Sequence, residues 1–171
     1  MEMCHQNYHD SPGYPSEKRL DEGPVAVIEC VQEIPCNPCE SVCSFNAIIV
    51  GQPITNLPVL IEENCVGCGK CVPVCPGLAI FIVDRTYSET EAAISIPYEF
   101  IPLPTPGEIV DALDRNGIPV CKAHIISVSN PPRNDKTAVI KLAVPKGYSD
   151  IVRNIAFGKF TNALAATFRQ S

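Results

Sequence analysis

Residues 65–76 read CVGCGKCVPVCP, with cysteines at 65, 68, 71 and 75 and a proline at 76. This is the run C-x2-C-x2-C-x3-C-P that holds a cubane 4Fe-4S cluster. Three thiolates on one tight loop can grip three irons of a cube. The fourth ligand must come from elsewhere, because the chain turns away. Gly67 and Gly69 sit between the thiolates, where glycine lets the backbone approach sulfur and aim N–H groups at a negatively charged cluster. Pro76 keeps Cys75 from continuing the loop. Where two such runs occur, the fourth cysteine of each ligates the other cluster.

A second run lies upstream. Adding 32 to the positions of Cys36, Cys39 and Cys43 gives Cys68, Cys71 and Cys75. The flanks repeat too, PVAVIE and SFNAIIV around the first run against PVLIEE and PGLAIFIV around the second. The sequence therefore carries an internal duplication, each half offering a strand, a cysteine loop and a short helix that leads to a returning strand. The copies differ at the first ligand, where Glu33 stands at the strict spacing. Cys30 ends the incoming strand, six residues after Pro24, much as Cys65 follows Pro58 by seven. A longer loop stiffened by Pro35 and Pro38 then leads to Cys36. We assign Cys30, Cys36, Cys39 and Cys75 to cluster I, and Cys65, Cys68, Cys71 and Cys43 to cluster II.

Paired C-x2-C knuckles also build tetrahedral zinc sites, but two interlocked quartets followed by the proline favour the cubanes. Ten cysteines in 171 residues fall short of the roughly 8–10% typical of disulfide scaffolds. The formal net charge of −6, from 13 basic and 19 acidic residues, argues against nucleic acid, which asks for a basic stripe. There is no run of about 18 apolar residues, and MEMCHQNYHDSPGYP lacks the regions of a signal peptide. A cytoplasmic location follows, without membrane contact. Abundant unpaired cysteine suits a reducing compartment, and exposed clusters a low-oxygen cell.

The expected fold is α+β. Residues 1–23, with Cys4, His5 and His9, read as an extended arm rather than a packed element. Residues 24–84 form a ferredoxin-like two-cluster 4Fe-4S module, with strands at 24–29, 48–50, 59–63 and 78–83 and a helical turn after Cys43 in SFNAI. Ile28, Ile34, Val42, Phe45, Ile48, Ile61, Val66, Val74, Leu78 and Ile80 are expected to pack around the clusters. Residues 85–146 read as a small antiparallel β domain, with a hairpin at Asn116-Gly117. Cys121 and His124 stand on opposite faces of one strand, which excludes a shared metal. Residues 147–171 read as C-terminal helices: one from Tyr148 to Phe157 with Ser149 as N-cap, then a stripe of Phe160, Leu164 and Phe168.

Residues 24–83 resemble the bacterial two-cluster ferredoxins. VAVIECVQEIPCNPCESVC and YEFIPLPTPGEIVDALDRNG resemble the small iron–sulfur subunits of multisubunit FAD-dependent amino-acid and imino-acid dehydrogenases, of the proline, hydroxyproline, sarcosine or opine type. The resemblance implies an electron-transfer subunit without catalysis of its own. Such a subunit takes electrons from a partner's flavin and relays them through two 4Fe-4S clusters to a second flavin or NAD site, or to a soluble acceptor such as ferredoxin. No G-x-G-x-x-G occurs in the chain, so the FAD is expected on the partner. A free-standing ferredoxin and an interaction module with structural clusters are the alternatives. Pro97, Pro102, Pro104 and Pro106 should hold Tyr98, Phe100, Ile101 and Leu103 extended as an apolar docking edge.

Overall fold

The computed structural model describes residues 8–156. The two halves of the duplication interlock. Strand β1 (Val25–Ile28) is buried along its whole length, as a run of four β-branched or small apolar residues demands. It pairs antiparallel with the last strand of the second half, β4 (Ile80–Asp84), Ile28 opposite Ile80. The closing strand of the first half, β2 (Ile48–Ile49), pairs with the opening strand of the second, β3 (Val59–Leu60). Each half thus completes its sheet with the other.

β4 also pairs with β5 (Glu91–Tyr98), so the sheet runs unbroken past residue 84. It continues through β8 (Ala138–Pro145), β7 (Pro119–Ser129), β6 (Ile109–Leu113) and β9 (Asn154–Ile155), in the order β1-β4-β5-β8-β7-β6-β9. β5 and β8 pair over eight positions, burying Ile94, Ile96, Ile140, Leu142 and Val144 completely. The expected hairpin joins β6 and β7. Its turn is set by Asp114, whose carboxylate accepts from the N–H groups of Asn116 and Ile118, both at 2.8 Å, an Asx turn. Among the described residues, no helix is long and apolar enough to cross a membrane.

Several expectations change. Residues 8–23 are packed, not an extended arm. Helix α1 (Glu17–Leu20) is capped by Ser16, and its Leu20 is fully buried. Gly13 lies so close to β1 that a Cβ would fall 2.6 Å from that of Ile28, and its carbonyl accepts from the Ile28 N–H. The first-half helix, α2 (Pro38–Val42), lies before Cys43 rather than after it, with Pro38 in its first turn. No helix runs from Tyr148 to the end of the described residues. A 3-10 turn at Lys146–Tyr148 leads instead to β9, Ile155 opposite Ala112. Ser149 and Asp150 are not a cap, since both receive hydrogen bonds from Arg85. Cys4, His5, Phe160, Leu164 and Phe168 lie outside the described residues.

Charged contacts link the N-terminal residues to the far end of the chain. Arg85 bridges Glu17 at 2.7 Å and Asp150 at 2.6 Å. The Tyr14 hydroxyl donates to Asp150 at 3.1 Å, and burial, with Asp150 beside it, pushes that hydroxyl well above its ordinary pKa. Glu29 takes two arginines, Arg115 and Arg153.

Candidate metal centre

The cysteines stand on short, closely tied elements. Cys30 follows β1, Cys39 lies within α2, and Cys43 ends that helix. Cys65 ends a 3-10 turn at Glu62–Asn64. Cys39 and Cys71 are buried, Cys68 is exposed, and the other five of the eight are half-buried. Cys39 and Cys71 are again 32 residues apart, so the duplication gives each half one buried thiol.

Two groupings emerge. Cys30, Cys36, Cys39 and Cys75 all line one cavity of about 270 Å³, floored by Ile28 and Ile80. Burial, then the facing Cys75 and Cys30, pushes the Cys36 thiol up. Burial, with Cys75 and Cys36 adding, pushes Cys39 to about 11. In the other group, burial, followed by Cys65 and Cys68 and with a contribution from Cys43, pushes Cys71 to about 12. Such thiols keep their protons at neutral pH, so any metal they bind must displace them. Among the described residues, no three His, Cys, Asp or Glu side chains are close enough to grip one ion. A cubane asks for a wider cage, because each thiolate binds a different iron.

Backbone N–H groups point at three of the sulfurs, from Ala47 to Cys43 at 3.2 Å, Ala79 to Cys75 at 3.4 Å and Ala26 to Cys65 at 3.4 Å. Ala47 and Ala79 keep the 32-residue offset, as do Asn46 and Leu78, both left-handed at φ of 52° and 50°. That conformation turns the chain after each fourth cysteine so that the alanine N–H meets its sulfur. Asn tolerates it; Leu is strained there. These donors suit a negatively charged cluster, whose potential follows hydrogen bonds to sulfur. The offset would have revealed them in the sequence.

The residue that sequence reasoning missed is Arg19. Its guanidinium donates to the carbonyls of Gly23 and Pro24 at 3.1 and 3.0 Å, and to that of Cys65 at 2.6 Å, while Nε reaches Glu62 O at 3.2 Å. One side chain therefore ties the start of β1 to the entry of the second cysteine loop. Gly67 completes the fit, with φ of +63° and an ideal Cβ only 2.6 Å from Pro24. Gly67→Ala should push that loop off β1 at about 1–3 kcal/mol. The check is a lowered thermal midpoint together with faster iron release to a chelator, and an unchanged midpoint would mean the loop has room to shift.

Of the apolar residues expected around the clusters, Ile28, Ile48 and Ile80 are buried, and Val42, Ile61, Val74 and Leu78 half-buried. Ile34, Phe45 and Val66 are exposed instead, at 47%, 45% and 51%. The loops hold their cysteines through backbone contacts and leave these side chains outside. Cys121 is half-buried, its thiol pushed up by burial, while His124 is exposed. His9 packs against the Tyr14 ring.

Residues 30–86 match the LdpA Fe-S cluster-binding domain. The chain is 32% identical over 68 residues to an uncharacterised ferredoxin of Methanocaldococcus jannaschii, 40% of each chain. It is 46% identical over 48 residues to the polyferredoxin-like subunit of an aliphatic sulfonate oxidoreductase of Pyrococcus furiosus, 28% of this chain and 27% of that one. It is also 47% identical over 38 residues to one of the subunits of the Na+-translocating ferredoxin:NAD+ oxidoreductase complex of Acetobacterium woodii, 22% of this chain and 11% of that one. The chain spans less than half the length of each of these relatives. No solved structure matches it significantly. The similarities, together with the gathered thiols, support an iron–sulfur protein of the ferredoxin type.

Proposed function

We propose that this chain is an electron-transfer subunit that holds two 4Fe-4S clusters, cluster I on Cys30, Cys36, Cys39 and Cys75 and cluster II on Cys43, Cys65, Cys68 and Cys71. The observation that carries the reading is the cavity lined by four thiols from both halves of the duplication, a donor set that suits a cubane. When bound, each cluster supplies one-electron chemistry at a potential set by charge, burial and hydrogen bonds to sulfur. The chain's own part is to fix the thiolates, to donate N–H groups from Ala26, Ala47 and Ala79, and to keep Cys39 and Cys71 away from water.

The partner in this reading is an FAD-dependent dehydrogenase of the amino-acid or imino-acid kind, in a cytoplasmic hetero-oligomer. The clusters carry electrons from its flavin to a second flavin, an NAD site or a soluble acceptor. Two relatives are named as subunits of oxidoreductases, which favours a complex over a free carrier. The phrases at 25–43 and 98–117 support the dehydrogenase class. The chain divides functionally into residues 1–23, the cluster module 24–84, the β region 85–146 and the C-terminal 147–171, the regions outside the module serving to dock the partner. Within 96–106, Phe100 and Ile101 remain exposed at 52% and 78%, whereas Tyr98 is buried at 3% and belongs to the core.

Purification under argon tests the reading. About eight iron and eight acid-labile sulfides per chain are expected, with an FAD-binding dehydrogenase copurifying. Four of each, or zinc, would end the two-cluster reading. Docking is best tested by Phe100→Glu with Ile101→Glu in the full chain, since cutting after Val83 would strip β4 of β5 and leave Glu29 without its arginines. Loss of copurification with full iron content is the expected result.

A further inference from the structure

A cleft of about 480 Å³ opens beside the second cysteine loop, between that loop and the strands β5, β7 and β8. Exposed Cys68 stands on its wall, flanked by Gly67 and Gly69. Three cations reach it from three separate elements: Lys70 from the loop, Arg133 from the 3-10 turn after β7, and Lys141 from β8. Among the described residues, no Asp or Glu lines it. Among the described residues, Lys70 meets the Ser44 hydroxyl, at 3.2 Å, and no carboxylate. Among the described residues, neither Arg133 nor Lys141 is paired with a carboxylate, nor are Arg19, Lys136 and Lys146 elsewhere, while Lys18, Arg85, Arg115, Lys122 and Arg153 all are; what sets the cleft apart is that its cations converge. Val42, Pro73, Val74 and Val139 supply an apolar floor.

In a chain of net charge −6, three cations converging on one concavity without a carboxylate among its lining mark a local reversal of potential, and their charge exceeds the negative charge that a cluster on Cys68 would bring. An apolar floor ringed by charge has the anatomy of a protein interface. Complementary charge steers and registers a partner on it. We infer that this cleft docks an acidic face of a partner protein, delivering it against Cys68. The inference rests on the reading that this loop carries cluster II. It adds a second, electrostatic face, distinct from the apolar segment at Phe100 and Ile101. An open cleft whose cations are spread over three elements fits a protein surface better than a small anion, which would be gripped from all sides.

Zinc-substituted plastocyanin, a redox-silent protein with an acidic patch, serves as the probe, and binding is read by calorimetry on the iron-loaded chain. Binding should weaken as salt rises. The variant K70E/R133E/K141E should weaken it tenfold or more, and K70A/R133A/K141A by an intermediate factor, which guards against misfolding caused by reversed charge. The remote set K18E/K122E/K146E carries the same change of net charge and should leave binding within about twofold. Basic cytochrome c should not lose affinity in the cleft variants. Salt-insensitive or absent plastocyanin binding would overturn the inference, as would equal weakening by the remote set. Iron content, measured on each sample, separates this outcome from failure of the cluster reading, since charge-dependent plastocyanin binding by a chain that takes up no iron would refute the two-cluster reading and leave the docking face standing.

Discussion

Glu29→Ala should destabilise the protein by about 3–5 kcal/mol, lowering the thermal midpoint by roughly 10 °C for a chain of this size. The Glu29 side chain is 5% exposed and Arg153 3%. Arg153 Nε donates to Glu29 Oε1 at 2.7 Å, and Arg115 Nε to Oε2 at 2.6 Å. Removing the carboxylate leaves Arg153 charged in the interior, where burial already works against its charge and Glu29 offsets only part of that. Among the described residues, its Nη2 has no hydrogen-bond partner even with Glu29 in place. The Phe81 ring lies 5.0 Å from the guanidinium, and a cation–π contact recovers only part of a lost ion pair. Replacing both buried partners, Glu29→Leu with Arg153→Met, should cost less than Glu29→Ala alone, because the charge left behind is then that of Arg115, which is 24% exposed and still donates to the Asp150 carbonyl, rather than that of fully enclosed Arg153. A single variant within about 1 kcal/mol of the parent would show that water reaches the site. Glu29 directly precedes Cys30 and lines the same cavity, so iron content should fall along with stability.

Cys30→Ser is the second large effect. Cys30 lies in the group of Cys36, Cys39 and Cys75, at the end of β1, and faces Cys36. The loop that follows is pinned by a hydrogen bond from the Cys36 N–H to Ile54 O at 3.1 Å. Bringing Glu33 in as a substitute would mean reshaping residues 31–35 against that pin. Iron should fall from about eight per chain toward seven, if a three-iron form persists, or toward four if cluster I is lost. One reduced-cluster EPR signal should survive, because Cys43, Cys65, Cys68 and Cys71 hold their group without Cys30. Unchanged iron would mean that another residue fills that corner, and Cys4→Ser would be the next variant to make.

The cysteine spacing made the two cysteine loops legible, and the 32-residue offset made the duplication legible, but the crossed pairing of its strands, β1 with β4 and β2 with β3, was not, because a repeat does not say which copies are neighbours. The hairpin at Asn116 was legible because the Asx turn is local chemistry. The packing of residues 8–23 was not, because one leucine in a polar stretch carries no period, and its burial depends on Arg19 reaching four carbonyls, two of them far along the chain. Ile151, Val152 and Ile155 fit helical spacing, but the pairing of Ile155 with Ala112 and of Arg153 with Glu29 decided for extended backbone, contacts no local pattern encodes. Strand patterns likewise say that β4 and β5 exist without saying that they are neighbours.

The contacts of Glu29 and Tyr14 also order events in time. Glu29 meets Arg153 across 124 residues, and Tyr14 meets Asp150 across 136. A ribosome adding about 5–20 residues per second exposes all eight cysteines of the two loops seconds before Arg153 exists. The nascent chain therefore presents reduced thiols on loops whose supports have not been made, and long-range strand pairing is slow even afterwards. Iron delivered before Arg153 is made would meet loops without that support, so firm retention of a cluster waits on the contacts of Glu29 and Tyr14. Protection of those thiols from oxygen in that interval falls to the cell rather than to the fold.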